Sequence, residues 1–238
     1  MVWKPVRAAF PFILTLMGVV TVQSALAARY EVPSASMEPS LMIGDQLGTI
    51  NFTYGFSTAQ LPFGNRLPHS GLMAKRLLGH APSRGDVVVF RSPSLPNTTW
   101  VKRVIALPGD QVALNHGRVT INGQVLPWQD KGPAQEILAD RRSVPAERFA
   151  ETLPGGVVHD ILKIEEDGPL DNIAAFTVPA DRLFVMGDNR DDSADSRVPA
   201  AQGGVGLLPF WNLEGKVVSV LWSWDHFKLR SERFFKAV

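Results

Sequence analysis

Short runs of β-branched and aromatic residues, punctuated by Gly, Pro, Asn and Asp, recur along most of this chain. Runs of that length and composition predict strands. The clearest are Arg84–Arg91 ("RGDVVVFR"), Thr98–Leu107 ("TTWVKRVIAL"), Arg182–Met186 and Lys216–Trp224, with a weaker one at Gln46–Phe52. "QVALN", "RVTI" and "QVLPW" follow the turn Pro108–Asp110 at hairpin spacing, with Asn115–Arg118 and Asn122–Gly123 between them. Asn-Gly between such runs is a strong hairpin signal. "GVVHDILKI" and "AAFTV" predict two more strands. Two stretches lack the pattern. Residues 57–83 are rich in Pro, Gly and Ser and predict a long surface loop with a short helix at "LMAKRLLG". Residues 129–155 are polar and predict one helix around Pro133–Arg142. The sum is a mainly β domain whose hairpin-rich middle, about 111–180, is an insertion.

One apolar run is of a different kind. Ala8–Ala28 carries no charge and follows Lys4 and Arg7. Its length is near the ~20 residues that span a bilayer. The basic flank keeps residues 1–7 cytoplasmic and puts residues 29–238 on the far side. A cleavable secretory signal fits the same segment, because "ALA" at Ala25–Ala27 resembles a cleavage site. Either way, the rest of the chain is exported.

Composition narrows the chemistry. The chain has 238 residues, is 45% hydrophobic and 20% charged, and carries a net charge of +1. Those values fit a globular domain and give no basic field for nucleic acid. There is no cysteine, which removes thiol nucleophiles, disulfides and cysteine zinc sites. The histidines fall in no metal or catalytic spacing, and neither H-E-x-x-H nor G-x-S-x-G occurs. A triad assembled in space stays open.

Serine can also be activated by a neutral lysine, which requires burial. "PSASMEPSLMIGD" (Pro33–Asp45) offers Ser34 and Ser36 just beyond the apolar run, though it also reads as a plain linker. "WVKRVIAL" offers a lysine inside a strand. By period two, Lys102 shares a face with Trp100 and Val104, while Arg103 faces the other way. Only Lys102 of that pair could act as a base, since arginine stays protonated. The plainer reading is two edge-strand charges that discourage aggregation. "GDNRDDSADSR" (Gly187–Arg197) reads as a solvated acidic loop, and its calcium-like ligands lack the calcium-loop pattern.

Taken together and in order, these stretches resemble the boxes of bacterial type I signal peptidases. "PSASMEPSL" is similar to P-S-x-S-M-x-P-[ST]-L, and "RGDVVVF" to the next box. "KRVIALPGD" is similar to K-R-x-x-x-x-P-G-D, and "GDNRDDSADSR" to G-D-N-R-x-x-S-x-D-S-R. The resemblance implies a signal-peptidase-like β-barrel or sheet catalytic domain behind one retained membrane helix, where relatives often have two. It implies Ser36 as nucleophile and Lys102 as general base, with no cofactor and no metal. Ser34 would supply an oxyanion donor beside the Ser36 N–H. Ser193 would orient the Lys102 amine, and Asp195 and Arg197 would form a supporting ion pair. Asp188 and Arg190 would be structural. Val32, Pro33, Met37, Leu41, Trp100 and Val101 would form small substrate pockets, and Met37 would pack by the base. Trp100 departs from the family's common tyrosine and would narrow its pocket.

The implied activity is cleavage of signal peptides from exported preproteins after small residues of A-x-A type. The protein would be a single-pass monomer of the bacterial inner membrane, its catalytic domain on the periplasmic side. Its partners would be preprotein signal peptides and the lipid bilayer, with no nucleic acid. Trp222, Trp224, Phe227, Phe234 and Phe235 would either enter the membrane interface or pack in the core. Two alternatives remain: a conjugation-type processing peptidase of the same fold, and a non-enzymatic anchored β-domain that binds partners. SOS-repressor self-cleaving proteins share the Ser/Lys chemistry but have no anchor.

Overall fold

The β-branched runs do form strands. The computed structural model describes residues 27–57, 76, 79–95, 97–137 and 142–238. Its strands are β1 (Ala27–Glu31), β2 (Asp45–Ile50), β3 (Val87–Arg91), β4 (Thr99–Ala106), β5 (Gln111–Asn115), β6 (Arg118–Ile121), β7 (Gln124–Val125) and β8 (Trp128–Ile137). They continue as β9 (Ser143–Thr152), β10 (Val158–Lys163), β11 (Ile173–Thr177), β12 (Arg182–Met186), β13 (Leu208–Pro209), β14 (Leu213–Asp225), β15 (Lys228–Leu229) and β16 (Lys236–Ala237). The largest sheet has the order β1-β2-β14-β3-β4-β12-β13, with β15 and β16 attached to β14. Strands β5 to β11 lie outside it, in a four-stranded sheet β11-β5-β6-β7 and a three-stranded sheet β10-β9-β8.

The continuous apolar run in β3 follows from its position. Val88 and Phe90 join one core with Tyr54, Val104, Leu183 and Val185. Val87 and Val89 join another with Val32, Met37, Leu41 and Leu47. Both faces of the strand are therefore covered, and alternation gives no advantage. Each such side chain contributes about 1.5–3 kcal/mol by leaving water. A third core, with Ile105, Val112, Ile121 and Phe184, ties the ends of β4 and β12 to the four-stranded sheet.

Several expectations are corrected. Residues 133–137 are strand, not helix, because Gln135 pairs with Pro145 and Glu136 with Val144 across a β8–β9 hairpin. The polar stretch 129–155 is thus two long strands. Ala27 and Ala28, expected at the end of the membrane run, open β1 opposite Ile50 and Thr49. The rest of that run lies outside the described residues, as does the short helix at "LMAKRLLG" apart from Arg76 and Gly79. Among the described residues no helix is long and apolar enough to cross a membrane. Lys102 and Arg103 are not solvent-facing edge charges: both side chains are buried, and β12 covers β4 from Arg103 onward. Nor do the C-terminal aromatics all pack inward, since Phe227 is 99% exposed and Phe235 76%.

Candidate active site

The nucleophile candidate sits on a short 3₁₀ turn, Ala35–Met37, held by its own neighbours. Met37 and Ala35 are buried beneath it, and the Leu41 N–H bonds back to the Met37 carbonyl. This anchoring leaves Ser36 between them with its hydroxyl turned to β4. There Lys102 Nζ lies 2.6 Å from Ser36 Oγ and also donates to the Val101 carbonyl at 3.0 Å. Ser34 Oγ is 3.4 Å from Ser36 Oγ. The Trp100 ring lies 6.0 Å from Lys102 Nζ, as the strand period requires.

Lys102 is only 4% exposed. Burial pulls its ammonium down to about 8, and the negative charges of Asp195, Asp188 and Asp192 oppose that pull without cancelling it. A lysine in this setting is substantially neutral near pH 8, whereas a free one is not.

The acidic box is not a solvated loop. Asp188, Asn189, Arg190, Ser193, Asp195 and Arg197 are all buried. Each charge has its counterpart. Arg103 binds both oxygens of Asp188 at 2.8 and 2.7 Å, and outweighs burial to hold that carboxyl below the usual range. Arg190 pairs with Glu151 of β9 at 2.5 Å. Asp195 accepts from the Arg197 guanidinium at 2.9 Å and from the Gly187 N–H at 3.0 Å, which lowers its pKa despite burial. Strand β10 grips the same loop through its backbone: the Leu162 N–H donates to the Asp188 carbonyl, and the Arg190 N–H to the Leu162 carbonyl, both at 2.9 Å. Lys163 binds Asp191 at 2.6 Å. The small sheet β8–β10 therefore fixes one wall of the site.

A cleft of about 530 Å³ opens beside the Ser36–Lys102 pair. Of the residues expected in the substrate pockets, Pro33, Trp100 and Val101 line it, and Ser34 lines it beside them. Val32, Met37 and Leu41 do not. They belong to the core beneath, and Leu47 and Val89 of that core reach the cleft instead. Tyr30, Glu31, Thr98, Thr99, Asp192 and Ala194 complete the lining. Tyr30 and Thr99 could not be read from sequence, since each owes its place to the sheet order; both donate to Glu214. Ser193 also departs from expectation: its buried Oγ has no hydrogen-bond partner and makes no bond to Lys102. It stands instead against Gly187 and the Ser36 carbonyl, where an added Cβ at Gly187 would strike both.

The sequence has relatives among known proteins. A family described as signal peptidase, peptidase S26, matches residues 5–222. Signal peptidase I of Pseudomonas fluorescens is 35% identical over 92% of this chain and 72% of its own length. That of Pseudomonas aeruginosa is 32% identical over 95% of this chain and 76% of its own. That of Rickettsia bellii (strain OSU 85-389) is 30% identical over 90% and 74%. A crystal structure of a signal peptidase I from Enterococcus faecalis V583 is 28% identical, covers 58% of this chain and 97% of that chain, and superposes with a TM-score of 0.33. The family match runs through the Ser36 segment, the Lys102 strand and the Gly187–Arg197 loop, and the chain belongs to the signal peptidase, peptidase S26 family.

Proposed function

We propose that the protein is a membrane-anchored serine endopeptidase that removes N-terminal signal peptides from exported preproteins after small residues. The observation that carries this is the 2.6 Å contact between Ser36 Oγ and a buried Lys102 Nζ. With the amine neutral, the hydroxyl donates along that contact. Lys102 takes the proton as Ser36 Oγ attacks the scissile carbonyl, and the Ser36 N–H and Ser34 hydroxyl receive the developing oxyanion. The protonated lysine then passes its proton to the leaving amine. A water that enters and gives a proton to Lys102 frees the acyl-enzyme.

Substrate would lie in the cleft as an extended strand. Pairing of β12 with β4 reaches only from Ala106 to Arg103, so Thr99–Lys102 present a free backbone edge beside Ser36. An extended peptide adds to such an edge by main-chain bonds, and shallow apolar walls at Trp100 and Val101 select small side chains. An anchor within Ala8–Leu26 would hold the catalytic domain, from β1 onward, on the periplasmic side of the inner membrane. Exposed Trp224, Phe227, Phe234 and Phe235 suit an interfacial surface. Strands β5–β11 would be the inserted subdomain. Incubating the detergent-solubilised protein with a labelled preprotein and mapping the product tests the proposal. A single cut after an A-x-A-type sequence is expected. An uncut preprotein would favour a binding domain instead.

A further inference from the structure

Nine carboxylates among the described residues are buried, and eight have a cation. Asp45 pairs with Arg233, Asp86 with Lys216, Asp110 with Arg84 and Glu214 with Arg91. Glu151, Asp171, Asp188 and Asp195 are held by Arg190, Lys163, Arg103 and Arg197. The exception is Glu136 of β8, which is 0% exposed and has no hydrogen-bond partner at either carboxyl oxygen. A lone ionised carboxylate is not left in such a place, because burial favours its neutral form. Its charged neighbours add to that. Glu38, two residues beyond Ser36, and Asp192, in the cleft wall, both act on it as negative charges. Together with burial, the larger cause, they push Glu136 up to about 7. Across the hairpin it is paired with Val144, which does not titrate.

Its remaining neighbour is Asn189. The Asn189 backbone N–H donates to the Ser36 carbonyl at 3.3 Å, and its Oδ1 accepts from the Asp192 N–H at 3.3 Å. Its Nδ2 is buried without a partner, like the Glu136 oxygens. These orphaned groups are complementary. A neutral Glu136 can accept from Asn189 Nδ2 and adds no charge beside Asp192 and Glu38. An ionised one is still favoured by Asn189, but burial and the two acids, which it repels, outweigh that single partner.

We propose that Glu136 is a positioning residue for the nucleophile segment: as a neutral acid it braces Asn189 and Asp192, and through Asn189 the Ser36 carbonyl, and on ionising it pushes that brace apart. The small sheet thus contributes a proton-dependent support behind the dyad. The inference rests on the Ser36–Lys102 reading, so its test has one arm that needs no activity.

In the first arm, kcat and KM for preprotein cleavage are measured for the wild type and Glu136→Gln from about pH 6 to 9. Glutamine keeps the neutral shape at every pH. The ratio of variant to wild-type kcat is expected near 1 at the acid end and to climb ~3- to 10-fold through about pH 7, with KM unchanged, as a small misplacement of the reacting atoms dictates. A ratio independent of pH, whatever its size, would overturn the proposal even with Ser36 and Lys102 confirmed. In the second arm, Tm is followed against pH without substrate. A raised carboxyl stabilises the fold fully below its unfolded pKa, and that contribution is lost as pH rises to the folded value. Wild-type Tm should therefore fall relative to Glu136→Gln between about pH 4.5 and 7 and hold a constant gap above. Parallel curves would show that Glu136 does not titrate there, and the proposal would fail.

Discussion

Ser36→Ala is expected to lower kcat for preprotein cleavage by a factor on the order of 10⁴–10⁶, and Lys102→Ala by a similar factor. In the proposed mechanism the two side chains, 2.6 Å apart, act as one unit. Without Lys102 the Ser36 hydroxyl keeps its proton and is a weak nucleophile; without Ser36 the amine has nothing to activate. The double variant should be scarcely worse than either single one, because each alone removes the whole covalent step. Neither change should unfold the protein. Ser36 is only partly buried, and Ala at 102 removes a buried amine whose desolvation opposes its charge. Single-turnover assays, with circular dichroism to verify the fold, make the comparison. Additive losses would mean that the two residues serve separate steps.

Gly187→Ala should be the next most damaging single change, although Gly187 does not line the cleft. Its missing side chain leaves room for the Ser36 carbonyl and for Ser193 Oγ, and a Cβ would overlap both. Gly187 cannot retreat easily, because its N–H is tied to Asp195 and its neighbour Asp188 to Arg103. The nucleophile segment must then yield. A shift of about 1 Å at the reacting atom costs ~10²-fold. The expected result is kcat reduced by at least that factor with KM little changed. An alanine variant with wild-type kcat would mean that the 3₁₀ turn relaxes freely and does not fix Ser36.

Much of this site was legible in the sequence, for identifiable reasons. Strands β3, β4 and β12 are dense β-branched runs, and such runs fit a buried sheet whatever its order. Sheet order itself left no local trace. Lys102 and Arg103 therefore also read as edge charges, and only the packed fold around β4 shows both side chains buried. Val32, Met37 and Leu41 are apolar and near Ser36, so they looked like pocket residues; the fold turns them into the floor under the nucleophile. Strands β8 and β9 were missed because most of their side chains face solvent and Pro133 and Pro145 break the alternation. Their pairing tolerates this through an irregularity between Asp130 and Pro133. Glu136 was invisible for the same reason: nothing in a polar stretch distinguishes the one acid that the fold encloses.

The central claim is that Lys102 acts as a neutral base on Ser36, and the pH dependence of kcat/KM tests it most directly. Burial lowers Lys102 to about 8, so the competent form is lost as pH falls through that value and accumulates above it. Measured alongside Glu136→Gln, which removes the opposing loss through about pH 7, the variant's profile should climb about tenfold per pH unit on the acid side and level off above a midpoint near 8, with the wild type rising less steeply. In that variant, a midpoint near the free-lysine value of ~10.4, or a rate that does not change between about pH 7 and 9, would show that the base is not this buried amine.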